Sequence, residues 1–482
     1  MKKSALVLFL LVIGFDSLSQ KKPASAPVQK KVLTHSVYDS WKEISYKALT
    51  PDGNFAAFTV NPQDGDGKVV FYNLKTAITD SVLRAENVLL TFDSRYGVFK
   101  IKPPQKVVKD LRRQKKKKED LPKDSLGIYS FVTRKTEKVP DVRSYKIPEK
   151  SAGWIAYQLE PLKEVKPKTD DKAKTEIKKT RKKKINSDEN GLTLVLRKLG
   201  EEKTTAFGFV RDYSFAKYGQ GLLFASGGND STMKAGVYWY DLHQQKLQLL
   251  YEGKSKHKMK GLAISEDGTQ ASFLVDADTT KAPVRHFQLY HWKAGNPSAT
   301  MLDVEHSMAI PQNWTVSENN TPSFAKDGLK LFFGSAPIPV MQDTTLLPEE
   351  IVSVEVWHGE DDYIYPQQNK QVDSERKRSY QAFIDLPAKQ IVQLADREVP
   401  TIELGEEGNA NVALGETNIP YRKMTTWDPS AYNDLYIFDL KTHQRKPIAT
   451  RIKETQAFHQ KQIMSTGSAC RIRPGLPIPL QR

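Results

Sequence analysis

One cysteine, Cys470, stands in a chain of 482 residues, so no intrachain disulfide can form and no cysteine-based metal site exists. The single long apolar run, Ala5 to Phe15, is too short to span a bilayer, which argues against stable membrane insertion. Helical periodicity is scarce. His257, His286, His291 and His306 show no H-E-x-x-H or related spacing, and His358 has no second histidine close by. They read as surface or strand histidines, Glu360-Asp361-Asp362 as a solvated acidic loop, and no metal, cofactor or catalytic residue is expected.

What is present begins at the N-terminus. Lys2 and Lys3 precede the apolar run, and Ser17-Leu18-Ser19 follows it with small residues at the first and third places. This is the layout of a cleavable secretory signal over residues 1–19, followed by a flexible stretch over 20–36, and it implies export, into a periplasm.

The net charge of +16 is local. Between Lys102 and Lys184 there are 27 Lys and Arg against 12 Asp and Glu, an excess of 15. Lys-rich insertions around 102–124 and 163–190 are almost free of aromatics and mixed with acids, the composition of solvated or disordered segments. Nucleic-acid recognition needs stacking aromatics or a reading helix beside the charge, so no nucleic acid is expected as a partner.

The rest of the chain is a repeat. Leu49-Thr50-Pro51-Asp52-Gly53-Asn54-Phe55 puts a tight turn directly before an apolar strand. Clear copies lie at Gly261 to Phe273 and Pro322 to Phe333, weaker ones at Tyr213 to Phe224, Phe92 to Ile101 and Lys150 to Tyr157. A second signature, alternating apolar and aromatic residues ending in an acidic or amide residue plus Leu, occurs at Val237 to Leu242, Ala382 to Leu386 and Leu435 to Leu440. Looser forms stand at Phe287 to Trp292 and Leu192 to Leu196. Period-two aromatics beside β-branched residues suit half-buried strands. Units that restart with the same turn must stack to bury both faces, so the fold class is all-β, a β-propeller with TolB/WD40-like blades over 37–460. A β-sandwich array is the alternative. Trp154, Trp239, Trp292, Trp314, Trp357 and Trp427 are expected in the blade core in preference to lining a ligand channel.

Together with the signal, Val37-Tyr38-Asp39-Ser40-Trp41-Lys42 and the long insertions, the repeat resembles the N-terminal propeller portion of exported prolyl oligopeptidase family serine peptidases of Bacteroidetes type, from about Val37 to Gln460. The resemblance implies an α/β-hydrolase domain carrying a Ser, Asp, His triad on a G-x-S-x-G elbow. Gly334-Ser335, Gly467-Ser468 and Ser226-Gly227-Gly228 do not make that elbow. Trp357-His358-Gly359-Glu360-Asp361-Asp362 resembles the segment that bears the triad acid. Here it is expected to follow a strand, Val352 to Trp357, and to form a propeller loop. Residues 461–482 change style, with Cys470 and three prolines between Pro474 and Pro479, and read as an irregular, frameshifted tail. The expectation is an incomplete or open propeller that retains the family's substrate gate without its chemistry, its partners being peptides, a protein, or the missing hydrolase domain. The alternative is a free-standing TolB-like module that binds a protein or peptide.

Overall fold

The Asp-Gly turns fold alike because the same bonds form in each. In the computed structural model, which describes residues 34–161, 186–229, 233–280, 282, 284–340, 345–347, 349–352 and 354–453, the hydroxyl of Thr50 donates to the Asp52 carboxylate (2.6 Å) and accepts the amide of Phe55 (3.0 Å). Asp52 accepts the amide of Asn54 at 3.0 Å. Thr91 and Asp93, then Ser265 and Asp267, repeat the arrangement. Gly53, Gly219, Gly268 and Gly328 all adopt φ between 69° and 73°, a region other residues enter at a cost. In blade 2 a serine, Ser94, does so at φ 60°.

These turns join the first and second strands of successive antiparallel sheets. The described strands form six sheets, five of them four- or five-stranded meanders and one of seven strands. The large sheet is two blades in one. Its strand Thr204–Phe215 pairs with Leu192–Lys198 up to Val210 and with Gly221–Ser226 beyond it, with Phe209 at φ 57° beside the break. Seven blades result, over residues 42–83, 85–139, 142–210, 212–252, 258–302, 314–393 and 401–453, numbered 1 to 7 below.

The second sequence signature is the third strand of the blade, in full form in blades 1, 4, 6 and 7. Its terminal Asp or Asn caps the turn that follows: Asp241 accepts the amides of His243 and Gln244 at 2.8 and 2.7 Å, and Asp439 those of Lys441 and Thr442 at 2.8 and 2.9 Å. The core lies between blades, where Leu223, Phe273 and Trp292, and then Leu274, Phe287 and Phe333, pack from neighbouring sheets. Dispersion and area burial across these interfaces supply most of the cohesion.

Strands alternate in direction, so the turns after first strands lie on one face and the loops after second strands on the other. Every long insertion is of the second kind: 102–124 in blade 2, 160–191 in blade 3, 338–379 in blade 6 and 418–431 in blade 7. One face is therefore trimmed to tight turns and the opposite face carries all the loops.

The propeller is open. No strand of blade 7 pairs with blade 1 among the described strands. Leu435 lies opposite Ala449, so the segment 435–449 that could have closed the ring onto an N-terminal strand pairs within blade 7.

Three expectations need correction, and one turn went unread. The 102–124 insertion is not a disordered run: helix α1 (Gln105–Arg113) forms there, anchored by Gln105 N–H on Asp66 (2.9 Å) and Lys109 on Asp64 (2.6 Å). No strand runs through Val352 and 354–357, and the polar stretch after them is helix α2 (Tyr365–Arg376). Trp239 and Trp292 are core, but Trp357 and Trp427 are 61% and 66% exposed because both sit in loop-face insertions and not in blade strands. Finally, blade 7 has its own entry turn, Gly405-Glu406-Glu407-Gly408, unnoticed in the sequence because it lacks the Asp-Gly pair. The signal segment 1–19, most of 20–36, the core of the 163–190 insertion and the tail 461–482 lie outside the described residues.

Candidate functional site

The first strand of each blade runs along the axis, and the turn at its end projects one variable residue inward. Each turn keeps part of the hydroxyl, Asp and Gly pattern, with Ala216 and Ala325 in the hydroxyl place, Tyr218 in the Asp place and Ser94 in the Gly place, while the second position varies in both size and charge. That position reads Pro51, Phe92, Lys217, Glu266 and Lys326 down the chain, and blade 7 contributes Glu407. An axial cavity of about 400 Å³ is lined by residues of blades 2 to 7, with Leu89, Ile147, Phe215, Ile264 and Phe324 as an apolar collar below the charged turns.

The charges alternate and pair. Lys217 lies 3.0 Å from Glu266 and 4.0 Å from Glu407, and Lys326 lies 3.6 Å from Glu407. Glu407 belongs to blade 7 and Lys217 to blade 4, so this belt crosses the channel mouth instead of merely following its rim. The hydrogen bond that Lys217 donates to Glu266 raises the Lys217 ammonium above its ordinary value and holds the Glu266 carboxyl below its own. Tyr218 donates to Glu266 at 3.2 Å, and Lys146 lies 4.9 Å over the Tyr213 ring.

Backbone bonds between turns hold the belt in place. Lys150 N–H reaches Lys217 O at 2.7 Å, Gln220 reaches Asp267 O at 2.9 Å, Gln270 reaches Gly328 O at 2.9 Å, and Asp327 N–H reaches Asn409 at 2.9 Å. Blades 3 to 7 are thus stitched turn to turn on this face. Blade 1 joins blade 2 through Asp52 N–H on Ser94 (3.1 Å).

This arrangement offers an apolar throat and a mouth of paired charges, half-buried at Lys217 and Glu266 and exposed at Lys326 and Glu407, suited to passing or holding an extended chain. The histidines considered in the sequence are dispersed, and His257 departs from the surface-or-strand expectation: it is buried in the loop before the strand Lys258–Ile264. His257 meets Tyr251 at 3.1 Å, His291 meets Gln270 at 2.8 Å and His306 meets Asp303 at 2.8 Å. Sequence reasoning missed the axial residues. Their signal was the position before the Asp place, which reads Lys217, Glu266 and Lys326 in successive blades and so alternates in charge.

No protein-family model and no curated protein matches the chain. Solved structures do resemble it. One is from a study of two prolyl endopeptidases (11% identity, TM-score 0.38, covering 87% of this chain and 51% of that one). Another is the β-propeller domain of the Trilobed protease from Pyrococcus furiosus, described as having an open velcro topology (12%, 0.33, 87% and 99%). A third is TolB from Acinetobacter baumannii (12%, 0.27, 86% and 80%). This chain spans about half the length of the endopeptidase. With TM-scores below 0.5, the architecture rests on the strand pairing described above.

Proposed function

We propose that this chain is the non-catalytic, substrate-gating propeller of a prolyl oligopeptidase-like serine peptidase, exported to the periplasm, that admits small or flexible peptides along its axis. The observation that carries the reading is the Lys217, Glu266, Lys326 and Glu407 belt across an axial cavity with an apolar collar. A folded protein cannot enter a space of about 400 Å³, whereas an extended peptide can. The half-buried Lys217–Glu266 pair is the firm part of the belt, whereas the exposed Glu407 reaches Lys217 and Lys326 only at 4.0 and 3.6 Å, so the belt opens at low cost where Glu407 spans the mouth.

The test is fluorescence anisotropy with a labelled flexible pentapeptide. Saturable binding is expected, with association quickened by Lys217→Ala combined with Glu407→Ala. Equal uptake of a compact folded domain, or no uptake of peptide by either protein, would overturn gating. The other reading, a free-standing TolB-like binding module, is favoured by the concentration of long insertions on one face. It predicts that a partner's footprint in hydrogen exchange falls on the insertions and leaves the axial turns unchanged.

A further inference from the structure

The loop-bearing face holds a second cavity, of about 630 Å³, enclosed by the blade 2 insertion and by blades 1 and 3. Its cations fall into two groups. Lys102 is paired with Glu86 (3.0 Å) and Asp124 (2.9 Å), Lys109 with Asp64 (2.6 Å), and Arg143 with Glu160 (3.4 Å). Arg84, Arg112, Lys118 and Lys123 also line it, and none of these has a carboxylate partner among the described residues.

Arg84 and Lys123 are half-buried. Arg84 is also tethered by its own backbone: its N–H donates to Gly67 O at 2.7 Å, its carbonyl accepts Lys102 N–H at 2.8 Å, and φ is 62°. An arginine that lines a concave site and has no carboxylate partner among the described residues can offer its guanidinium to an anion. The surroundings strengthen the pull, because residues 102–124 hold ten Lys and Arg against four Asp and Glu. The lining holds seven Lys and Arg against four carboxylates, Asp66, Glu86, Asp124 and Glu160, and a concave wall of net positive charge focuses the field on an incoming anion.

We propose that this cavity binds a compact, multiply charged oxyanion, a phosphoryl group or a cluster of carboxylates. The Arg84 guanidinium supplies a planar fork for two of its oxygens and Lys123 a point charge opposite, while Arg112 and Lys118 draw the ligand to the rim. This site is separate from the axial channel and does not depend on gating.

The experiment is calorimetric titration of the full chain with pyrophosphate and, separately, with citrate. One saturable site is expected, weakened about tenfold or more by Arg84→Gln with Lys123→Gln. Lys135→Gln with Lys138→Gln removes the same charge from the exposed outer strand of blade 2 and is expected to leave affinity unchanged. Lys123→Gln alone, which removes no internal hydrogen bond, serves if the double variant does not fold, and is expected to weaken binding in the same direction. Stronger binding of pyrophosphate assigns a phosphoryl ligand, and stronger binding of citrate a carboxylate cluster. No saturation with either anion, or an equal loss in the outer-strand variant, would overturn the proposal.

Discussion

The second strand of blade 4, Gly221–Ser226, is buried at all six positions, whereas that of blade 7, Val412–Thr417, is buried only at every other one. Both are meander strands with the same pairing partners on each side. The difference lies in the neighbours. Blade 4 has a sheet against each face, and blade 7 has blade 6 against one face, where Ala413, Phe438 and Leu440 pack with Phe332 and Phe383. Blade 1 is its mirror case: Ala57, Val69 and Phe71 pack toward blade 2, while Ile44 and Leu49 are 52% and 63% exposed. Burial periodicity therefore locates the seam of an open ring without reference to any closing hydrogen bond.

The largest expected effect breaks the well-packed side of that comparison. Leu223→Ala in blade 4 should cost about 2–5 kcal/mol, the range for a fully buried leucine that leaves a cavity. Leu414→Ala on the seam side of blade 7 should cost less than about 1.5 kcal/mol, because solvent already reaches it. Urea unfolding of both variants checks this. Equal losses would mean that the seam is as tightly packed as the interior.

Next comes the base of the blade 5 loop. The Asp276 side chain is 1% exposed and paired with Arg285 at 3.2 Å, while Arg285 also donates to Asp278 O and Thr280 O. Asp276→Ala removes the nearer, buried carboxylate and leaves Arg285 with Asp278 at 3.7 Å and its backbone acceptors, and should cost about 1–3 kcal/mol. Glu360→Ala breaks an exposed pair with Lys423 (3.3 Å) near the seam and should change stability by less than about 1 kcal/mol. The same unfolding measurement distinguishes them, and a costly Glu360→Ala would show that the blade 6 and blade 7 insertions brace each other.

Most of the blade framework was legible because the turn has to be built from particular residues. Thr or Ser, Asp and Gly each meet a separate bonding or dihedral need, so Thr50-Asp52-Gly53 and Ser265-Asp267-Gly268 declare themselves locally. Blade 7 escaped because Glu406 and Glu407 adopt φ near 50° without the repeat's residues. Helix α1 was hidden for a different reason. Its Lys-rich sequence buries no residue, and anchors such as Asp64 and Asp66 stand about forty positions away. The axial belt was equally invisible, since Lys217 and Glu407 meet only when blades 4 and 7 face one axis.

The turn carboxylates give a smaller effect, one that depends on pH. Burial pushes Asp267 up, but the bonds from Ser265 and Thr269 outweigh it and hold the carboxyl below its ordinary value. In Asp52 burial likewise acts upward, and the bonds from Thr50 and Asn54 prevail. A depressed folded-state pKa contributes stability that is complete above the unfolded value, about 3.9, and is lost as pH falls through the folded one. Asp267→Asn should thus cost about 1 kcal/mol at pH 6 and lose less than the wild type between pH 5 and pH 3. Parallel acid losses in the two proteins would show that this turn is not among the groups that titrate on unfolding.

The smallest effect on stability is expected where the exposed apolar surface is most conspicuous. Ile44 and Leu49 lie on the first strand of blade 1, whose eight residues are almost all exposed, and with Ala48, Ala56 and Phe58 they line an apolar hollow on the seam side. Ile44→Lys with Leu49→Lys removes contacts mostly with water, so stability should stay within about 0.5 kcal/mol of the parent. Self-association should respond instead, because a first strand paired on one edge only and exposing an apolar face is a template for another chain. Light scattering across a concentration series is expected to show association in the parent and its loss in the double lysine variant. A parent that stays monomeric throughout would mean that this face is shielded in solution. A double variant that unfolds several kcal/mol earlier would mean that blade 1 packs on a neighbour there and that the ring closes.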